Sequence, residues 1–146
     1  MDKLGDVLEM AIRIAMEAHW GQVDKGGHPY ILHPLRVMCS VEGHAAKMVA
    51  VLHDTVEDSD WALDSLSWRG MPDEVVDAVD CLTKRGGESY EGYLERVKGN
   101  QLAVKVKRAD IMDNMDVARF ACIKPEDVVR LSKKYTAAWE MLKEVS

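Results

Sequence analysis

Apolar residues recur every three to four positions along most of the chain, which is the spacing of amphipathic α-helices rather than of strands. In the first segment Leu4, Val7, Leu8 and Ala11 follow this spacing, and Gly21 ends the pattern. The same reasoning predicts further helices, so that the full set lies at about residues 2–20, 31–39, 43–54, 60–66, 72–82, 89–98, 101–118 and 125–142. The pattern therefore predicts an all-α fold, a helical bundle.

The composition agrees with a helical fold built as one domain. The chain has 146 residues, and we expect a single domain over residues 1–146 with a substantial core. It is 47% hydrophobic but contains only four prolines and one phenylalanine, which favours helices over sheet. Because it has neither a long uncharged apolar stretch nor the basic-then-apolar order of a signal peptide, we expect a cytoplasmic protein without a membrane span.

The net charge limits the kinds of ligand that we expect the chain to bind. The formal net charge of −6 argues against binding of long nucleic acids. It does not argue against a small phosphorylated ligand, because a metal ion and a few lysines can reverse the sign of the electrostatic field inside one cleft.

The three cysteines are Cys39, Cys81 and Cys122. They lie far apart within helical patterns, so we expect reduced core cysteines.

The most informative stretch runs from Leu52 to Asp58. It places His53 and Asp54 directly after an apolar helical run, with Glu57 and Asp58 about one turn further on. An isolated His-Asp pair is ordinarily a core histidine beside a solvated acid. Its interpretation as a metal site therefore depends on ligands from other parts of the chain.

Two other helices offer such ligands. His33 precedes Pro34 at the entry of the second predicted helix, and Asp110 lies beside the predicted apolar face of the seventh, which consists of Leu102, Val106, Ala109 and Met112. Two imidazoles and two carboxylates suit Mn²⁺, Fe²⁺ or Zn²⁺ with open, water-filled positions better than a closed structural zinc site. We expect a catalytic metal whose water attacks phosphorus, with Glu57 or Asp58 accepting the proton.

A glycine-rich segment, residues 21–30, precedes the second helix. Its three glycines and one proline predict an irregular loop whose backbone can approach a ligand closely. Lys25 is the only lysine or arginine in it. A plain connector with a solvated lysine explains the same residues equally well.

In order along the chain, several motifs resemble the hydrolase domain of the RelA/SpoT alarmone enzymes, which are HD-type metal-dependent phosphohydrolases. The matching segments are Ala18-His19-x-Gly21-Gln22, Lys25-x-Gly27-x-Pro29-Tyr30-Ile31-x-His33-Pro34, Leu52 to Asp58, Leu82-Thr83-Lys84, and Ala109-Asp110-x-x-x-Asn114-Met115. The resemblance covers about the first 120 residues, and less securely Tyr135 and Trp139. The length of the chain is similar to that of the small, single-domain alarmone hydrolases.

The resemblance implies an HD-domain helical bundle that hydrolyses the 3′-pyrophosphate of guanosine tetra- or pentaphosphate to GDP or GTP. It implies Mn²⁺ held by four ligands and a water activated by two acids; the ligands are His33, His53, Asp54 and Asp110, and the acids are Glu57 and Asp58. It also implies substrate contacts from Asn114, Tyr135 and Lys25, with Lys84 and Lys107 as weaker phosphate candidates. A homo-oligomer is compatible with the sequence.

This chain departs from the family pattern in two motifs, and both departures affect the substrate contacts that the resemblance implies. Where the family has Arg-Lys before the glycine, this chain has Asp24-Lys25. Where the family reads Ala-Asp-Arg-Leu-His-Asn, this chain has Ile111 in place of the arginine and Asp113 in place of the histidine. The alternatives are therefore a related phosphohydrolase of adenosine alarmones or NADPH, and a non-catalytic module that senses nucleotides.

Overall fold

A computed structural model describes residues 3–116 and 124–143, and their side chains from residue 5 onward. Apart from one isolated antiparallel bridge between Val23 and Pro29, the regular secondary structure of these residues is helical. The helices are α1 (Lys3–Ala18), α2 (Leu32–Cys39), α3 (His44–Leu52), α4 (Leu63–Trp68), α5 (Asp73–Leu82), α6 (Tyr90–Lys98), α7 (Gln101–Asn114) and α8 (Pro125–Lys143). The predicted all-α fold is confirmed, but the seventh helix ends at Asn114 and not near residue 118 as predicted.

Helix α3 forms the centre of the bundle, where it packs against α1, α2, α5 and α7. Its side chains are buried on nearly every face; those with almost no exposed surface are Ala46, Met48, Val49, Ala50, Val51 and Leu52. A helix that is apolar all round belongs in the interior. His53 and Asp54 follow directly after Leu52, so their backbone is anchored in the best-packed part of the molecule.

Helix α7 buries most of the predicted face together with a charged pair. Val106 is fully buried, and Leu102 and Ala109 are partly buried against the core, as predicted. Met112 is 60% exposed, so the prediction is wrong for that residue. The buried residues of the helix are Ala103, Val104, Val106, Lys107, Asp110 and Ile111. Apolar spacing does not predict the burial of Lys107, which is paired with Asp110. Asn100 caps the helix, because its Oδ1 accepts from the amide of Ala103 at 2.9 Å.

The cysteines do not form the buried set that the sequence predicts. Cys39 is exposed at the last position of α2, and Cys81 is only partly buried on α5. The prediction of a core position is wrong for Cys39, because α2 ends at the protein surface. Cys122 lies outside the described residues.

In residues 3–116 and 124–143, none of the helices combines the length and the apolar character that crossing a bilayer requires.

Candidate metal centre

Four side chains from three parts of the fold meet at one point. His33 comes from the first turn of α2, His53 and Asp54 from the end of α3, and Asp110 from the last turns of α7. His33 Nε2 lies 2.9 Å from Asp110 Oδ1 and 3.7 Å from Asp54 Oδ2. His53 Nε2 lies 3.1 Å from Asp54 Oδ2 and 3.4 Å from Asp110 Oδ1. Two imidazole nitrogens and two carboxylate oxygens thus face a common centre.

These separations fit joint coordination of one ion. Ligand atoms that each lie about 2.1 Å from a metal, at the angles of an octahedron or tetrahedron, are roughly 3.0–3.4 Å apart. The donor set contains nitrogen and oxygen only, which suits Mn²⁺, Fe²⁺ or Zn²⁺. In addition, His53 Nε2 is buried without a hydrogen-bond partner, although it lies beside two carboxylates. The residues therefore fit a divalent metal ion.

The two imidazole rings present their Nε2 atoms because their Nδ1 atoms are engaged elsewhere. His53 Nδ1 donates to the backbone carbonyl of Ala50 at 2.6 Å. His33 Nδ1 donates to Asp113 Oδ2, also at 2.6 Å. Since a carbonyl and a carboxylate only accept, each Nδ1 carries a proton, and Nε2 is the nitrogen of each ring that faces the proposed metal position.

Asp110 is held by two neighbours on its own helix. Lys107 Nζ donates to Asp110 Oδ2 at 2.9 Å, and Asn114 Nδ2 donates to Asp110 Oδ1 at 3.0 Å. Burial opposes ionisation of Asp110, but Lys107 and His53 outweigh it and hold the pKa of this carboxyl well below its ordinary value. Asp110 is therefore a carboxylate, the form that a metal requires.

The neighbouring carboxylates also determine the direction in which the pKa values of the two imidazoles shift. Burial disfavours a charged ring at His53, but Asp54 and Asp110 outweigh that effect and raise its pKa well above the ordinary value. Burial likewise opposes charge on His33, and Asp110 and Asp113 raise its pKa. The neighbouring carboxylates thus favour the protonated form of both rings, so metal binding would compete with proton binding at these histidines.

Glu57 and Asp58 lie beside the centre on a segment fixed by hydrogen bonds from distant parts of the chain. Glu57 Oε1 accepts from the backbone amide of Lys84 at 2.8 Å. The carbonyl of Asp58 accepts from Gln22 Nε2 at 2.8 Å, and Gln22 Oε1 lies 2.8 Å from His19 Nδ1. These contacts hold the two acids relative to α1 and α5.

The carboxyl group of Asp58 has a raised pKa. Burial, together with the negative charges of Asp54 and Glu57, raises it to about 6. Tyr30 lies between the acids, since its hydroxyl donates to Asp54 and is 3.5 Å from Asp58 Oδ2. A carboxyl group that exchanges a proton near neutral pH beside a metal position is suited to general acid–base chemistry.

The centre lies in a cleft of about 510 Å³, a size that accommodates a nucleotide. Four of the five predicted substrate-binding residues line it, namely Lys84, Lys107, Asn114 and Tyr135. The fifth, Lys25, is exposed in the glycine-rich loop and is not among the lining residues. Sequence reasoning missed four lining residues, Tyr30, Tyr90, Tyr93 and Lys134.

The two departures from the family pattern have structural roles in this chain. Asp24 Oδ1 accepts from the backbone amides of Gly26 and His28, both at 2.9 Å, so its side chain organises the loop. Gly27 follows with a φ of +80°, a conformation that favours glycine. Ile111 is fully buried in the core. Neither position therefore presents a side chain to the cleft.

Several curated proteins resemble the chain over most of its length. A guanosine-3′,5′-bis(diphosphate) 3′-pyrophosphohydrolase of Haemophilus influenzae is 31% identical over 135 residues, which is 83% of this chain and 20% of that protein. One of Aquifex aeolicus is 29% identical over 74% of this chain and 17% of that protein. A probable GTP pyrophosphokinase of Mycobacterium leprae is 30% identical over 88% of this chain and 18% of that protein. The chain spans about a fifth of the length of these relatives, and no protein-family model matches it.

A solved structure shows the same fold. It belongs to a metazoan orthologue of SpoT that is described as hydrolysing ppGpp, and it matches 96% of this chain and 87% of its own with a TM-score of 0.78 and 20% identity. The fold is thus the HD-domain helical bundle that the sequence predicts. Within that class, the chain is similar to the RelA/SpoT-type enzymes, as the names of its curated relatives indicate.

Proposed function

We propose that the chain is a Mn²⁺-dependent 3′-pyrophosphohydrolase of guanosine tetra- and pentaphosphate. The observation that carries the proposal is the convergence of His33, His53, Asp54 and Asp110 at a cleft that is also lined by two further acids and by lysines. The names of the curated relatives support the substrate class. Some relatives are named for synthesis of the same nucleotide, but an acid pair beside a metal position suits water attack on phosphorus.

In the proposed reaction His33, His53, Asp54 and Asp110 hold the metal ion. When bound, Mn²⁺ would act as a Lewis acid and make a water molecule more acidic. Glu57 and Asp58 are placed to accept the proton of that water as it attacks the phosphorus bonded to the ribose 3′-oxygen. The bond between this phosphorus and the 3′-oxygen breaks, and the 3′-oxygen leaves and takes up a proton. Cleavage of guanosine tetraphosphate with one water then gives GDP and pyrophosphate.

The cleft also contains the positive charge that a polyphosphate requires. Lys84 and Lys134 both line the cleft, and no described carboxylate lies within ion-pair distance of either ammonium group. Lys134 Nζ lies 4.5 Å from the centre of the Tyr90 ring and 5.7 Å from that of Tyr135. Burial and the nearby charges of Lys107, Arg130 and Lys84 lower the pKa of Lys134. An anionic ligand would relieve this repulsion.

A product assay tests the proposed function. The Mn²⁺-loaded protein is incubated in parallel with guanosine tetraphosphate, its adenosine counterpart and NADPH, and the products are separated by chromatography. We expect GDP and pyrophosphate from the guanosine compound. Pyrophosphate from the adenosine compound alone, or phosphate from NADPH alone, would reassign the substrate. Tight binding of a nucleotide without turnover would instead favour the sensing module.

The proposed role of Lys134 in phosphate binding gives a second prediction. Replacing Lys134 with methionine should raise KM for the nucleotide about 10-fold or more with a smaller change in kcat, because a charge-assisted contact to phosphate is lost. Lys133 is the matched control, since it is an exposed neighbour on α8 that does not line the cleft. Equal KM values for K134M and K133M would contradict a role of Lys134 in phosphate binding.

A further inference from the structure

The imidazole of His33 is held between two carboxylates of α7. Its Nε2 lies 2.9 Å from Asp110 Oδ1, and its Nδ1 donates to Asp113 Oδ2 at 2.6 Å. Asp110 and Asp113 are three residues apart, so both face α2 from one side of α7. One carboxylate therefore lies on the metal side of the ring and the other on its far side.

Arg36 holds the far carboxylate in place. Its Nε donates to Asp113 Oδ1 at 2.8 Å, and its Nη2 donates to Asp113 Oδ2 at 3.2 Å. The Asp113 side chain is only 12% exposed, and a carboxylate in that position requires partners. Arg36 lies three residues after His33 on α2, so the same helix supplies the imidazole and the guanidinium group that contact Asp113.

The two metal-facing histidines are thus oriented by different acceptors. His53 donates from Nδ1 to a neutral backbone carbonyl, whereas His33 donates to a charged carboxylate that an arginine fixes. A carboxylate behind a histidine holds the ring orientation and makes the other nitrogen a stronger ligand. The family pattern has histidine where this chain has Asp113, so this charge is a feature of the present sequence.

We propose that Asp113, held by Arg36, is a positioning residue that fixes His33 with Nε2 toward the metal and strengthens metal binding. The inference rests on the proposed metal site. It assigns a function to an ion pair whose two residues are not among those that line the cleft. Partners of this kind change metal affinity by about 10- to 100-fold when they are removed.

The test measures Mn²⁺ affinity of the full chain by titration calorimetry for the wild type, D113A and D113N. We expect D113A to weaken Mn²⁺ binding by about 10- to 100-fold and D113N to give an intermediate value, because asparagine still accepts a hydrogen bond but carries no charge. The control is D80N, which removes a carboxylate paired with Arg85 at 2.9 Å on an exposed surface. We expect D80N to bind Mn²⁺ like the wild type.

A second measurement separates orientation from general stability. In the Zn²⁺-loaded, diamagnetic protein, NMR should show a strongly downfield Nδ1–H proton of His33 in the wild type, which is absent in D113A while helicity is unchanged. Equal Mn²⁺ affinities of D113A and the wild type would overturn this inference alone. Absence of Mn²⁺ binding by the wild type would overturn the proposed function together with it.

Discussion

Replacing His53 with alanine should reduce bound Mn²⁺ to background and lower hydrolysis by at least about 10³-fold, because the ion then loses one of its four proposed ligands. His53 is a suitable position for this experiment, since its Nε2 has no hydrogen-bond partner among the described residues. Metal content by atomic emission and the rate of pyrophosphate release are the two measurements.

The matched control for this experiment is His44→Ala. His44 is exposed at the first position of α3, the helix that leads to His53 at its other end. The control should keep both the metal and the activity. Asp110 is less suitable as a target, because its removal would leave buried Lys107 without its anion and cost about 3–5 kcal/mol of stability. Full metal content in H53A would refute the proposed ligand set.

Replacing Glu57 with glutamine should leave Mn²⁺ binding unchanged and lower kcat by about 10²- to 10⁴-fold, since a proton acceptor is removed while its shape is kept. Glutamine retains a carbonyl oxygen that can accept from the amide of Lys84, so the local backbone contact survives. Steady-state kinetics and metal content on the same preparation measure the two effects. Unchanged kcat in E57Q would exclude Glu57 as the base.

The pH dependence of activity in the same variant gives a further prediction, with a definite direction. The pKa of Asp58 is raised to about 6 by burial and by the charges of Asp54 and Glu57. If the ionised form of Asp58 is needed, activity falls as the pH drops through this value. E57Q removes one of the negative charges that raise it, so the acid limb of its residual activity should move to lower pH. Asp58→Asn, which has no titrating group there, should lose this limb.

The helices and the position of the His53-Asp54 pair could be predicted because each depends on local sequence. The apolar run before His53 fixes α3, and the adjacent polar residues must then emerge at its end. Spacing alone does not say that His33 and Asp110 reach the same point, and the ordered family motifs supplied that part. The cluster geometry agrees with that expectation, while metal binding itself stays a prediction.

Other parts of the cleft depend on packing between distant segments. Lys134 has the appearance of an ordinary solvated lysine in the sequence, and only the docking of α8 beside α6 and α7 brings it to the cleft. Tyr30 reaches Asp54 from a loop 24 residues earlier. Lys25 was expected to contact the substrate but does not line the cleft, because a lysine in a glycine-rich loop need not face the ligand. The burial of Lys107 was missed since apolar spacing takes no account of ion pairs.

Lys107 has a consequence for how the protein is handled. Its ammonium group lies beneath the rings of Tyr90 and Tyr93 and neutralises Asp110 from inside the fold. Because this internal counter-ion is covalently part of the chain, the bundle does not need a bound cation to offset that carboxylate. A chelator should therefore empty the site without unfolding the helices, and inactive preparations should recover on reconstitution with the ion alone.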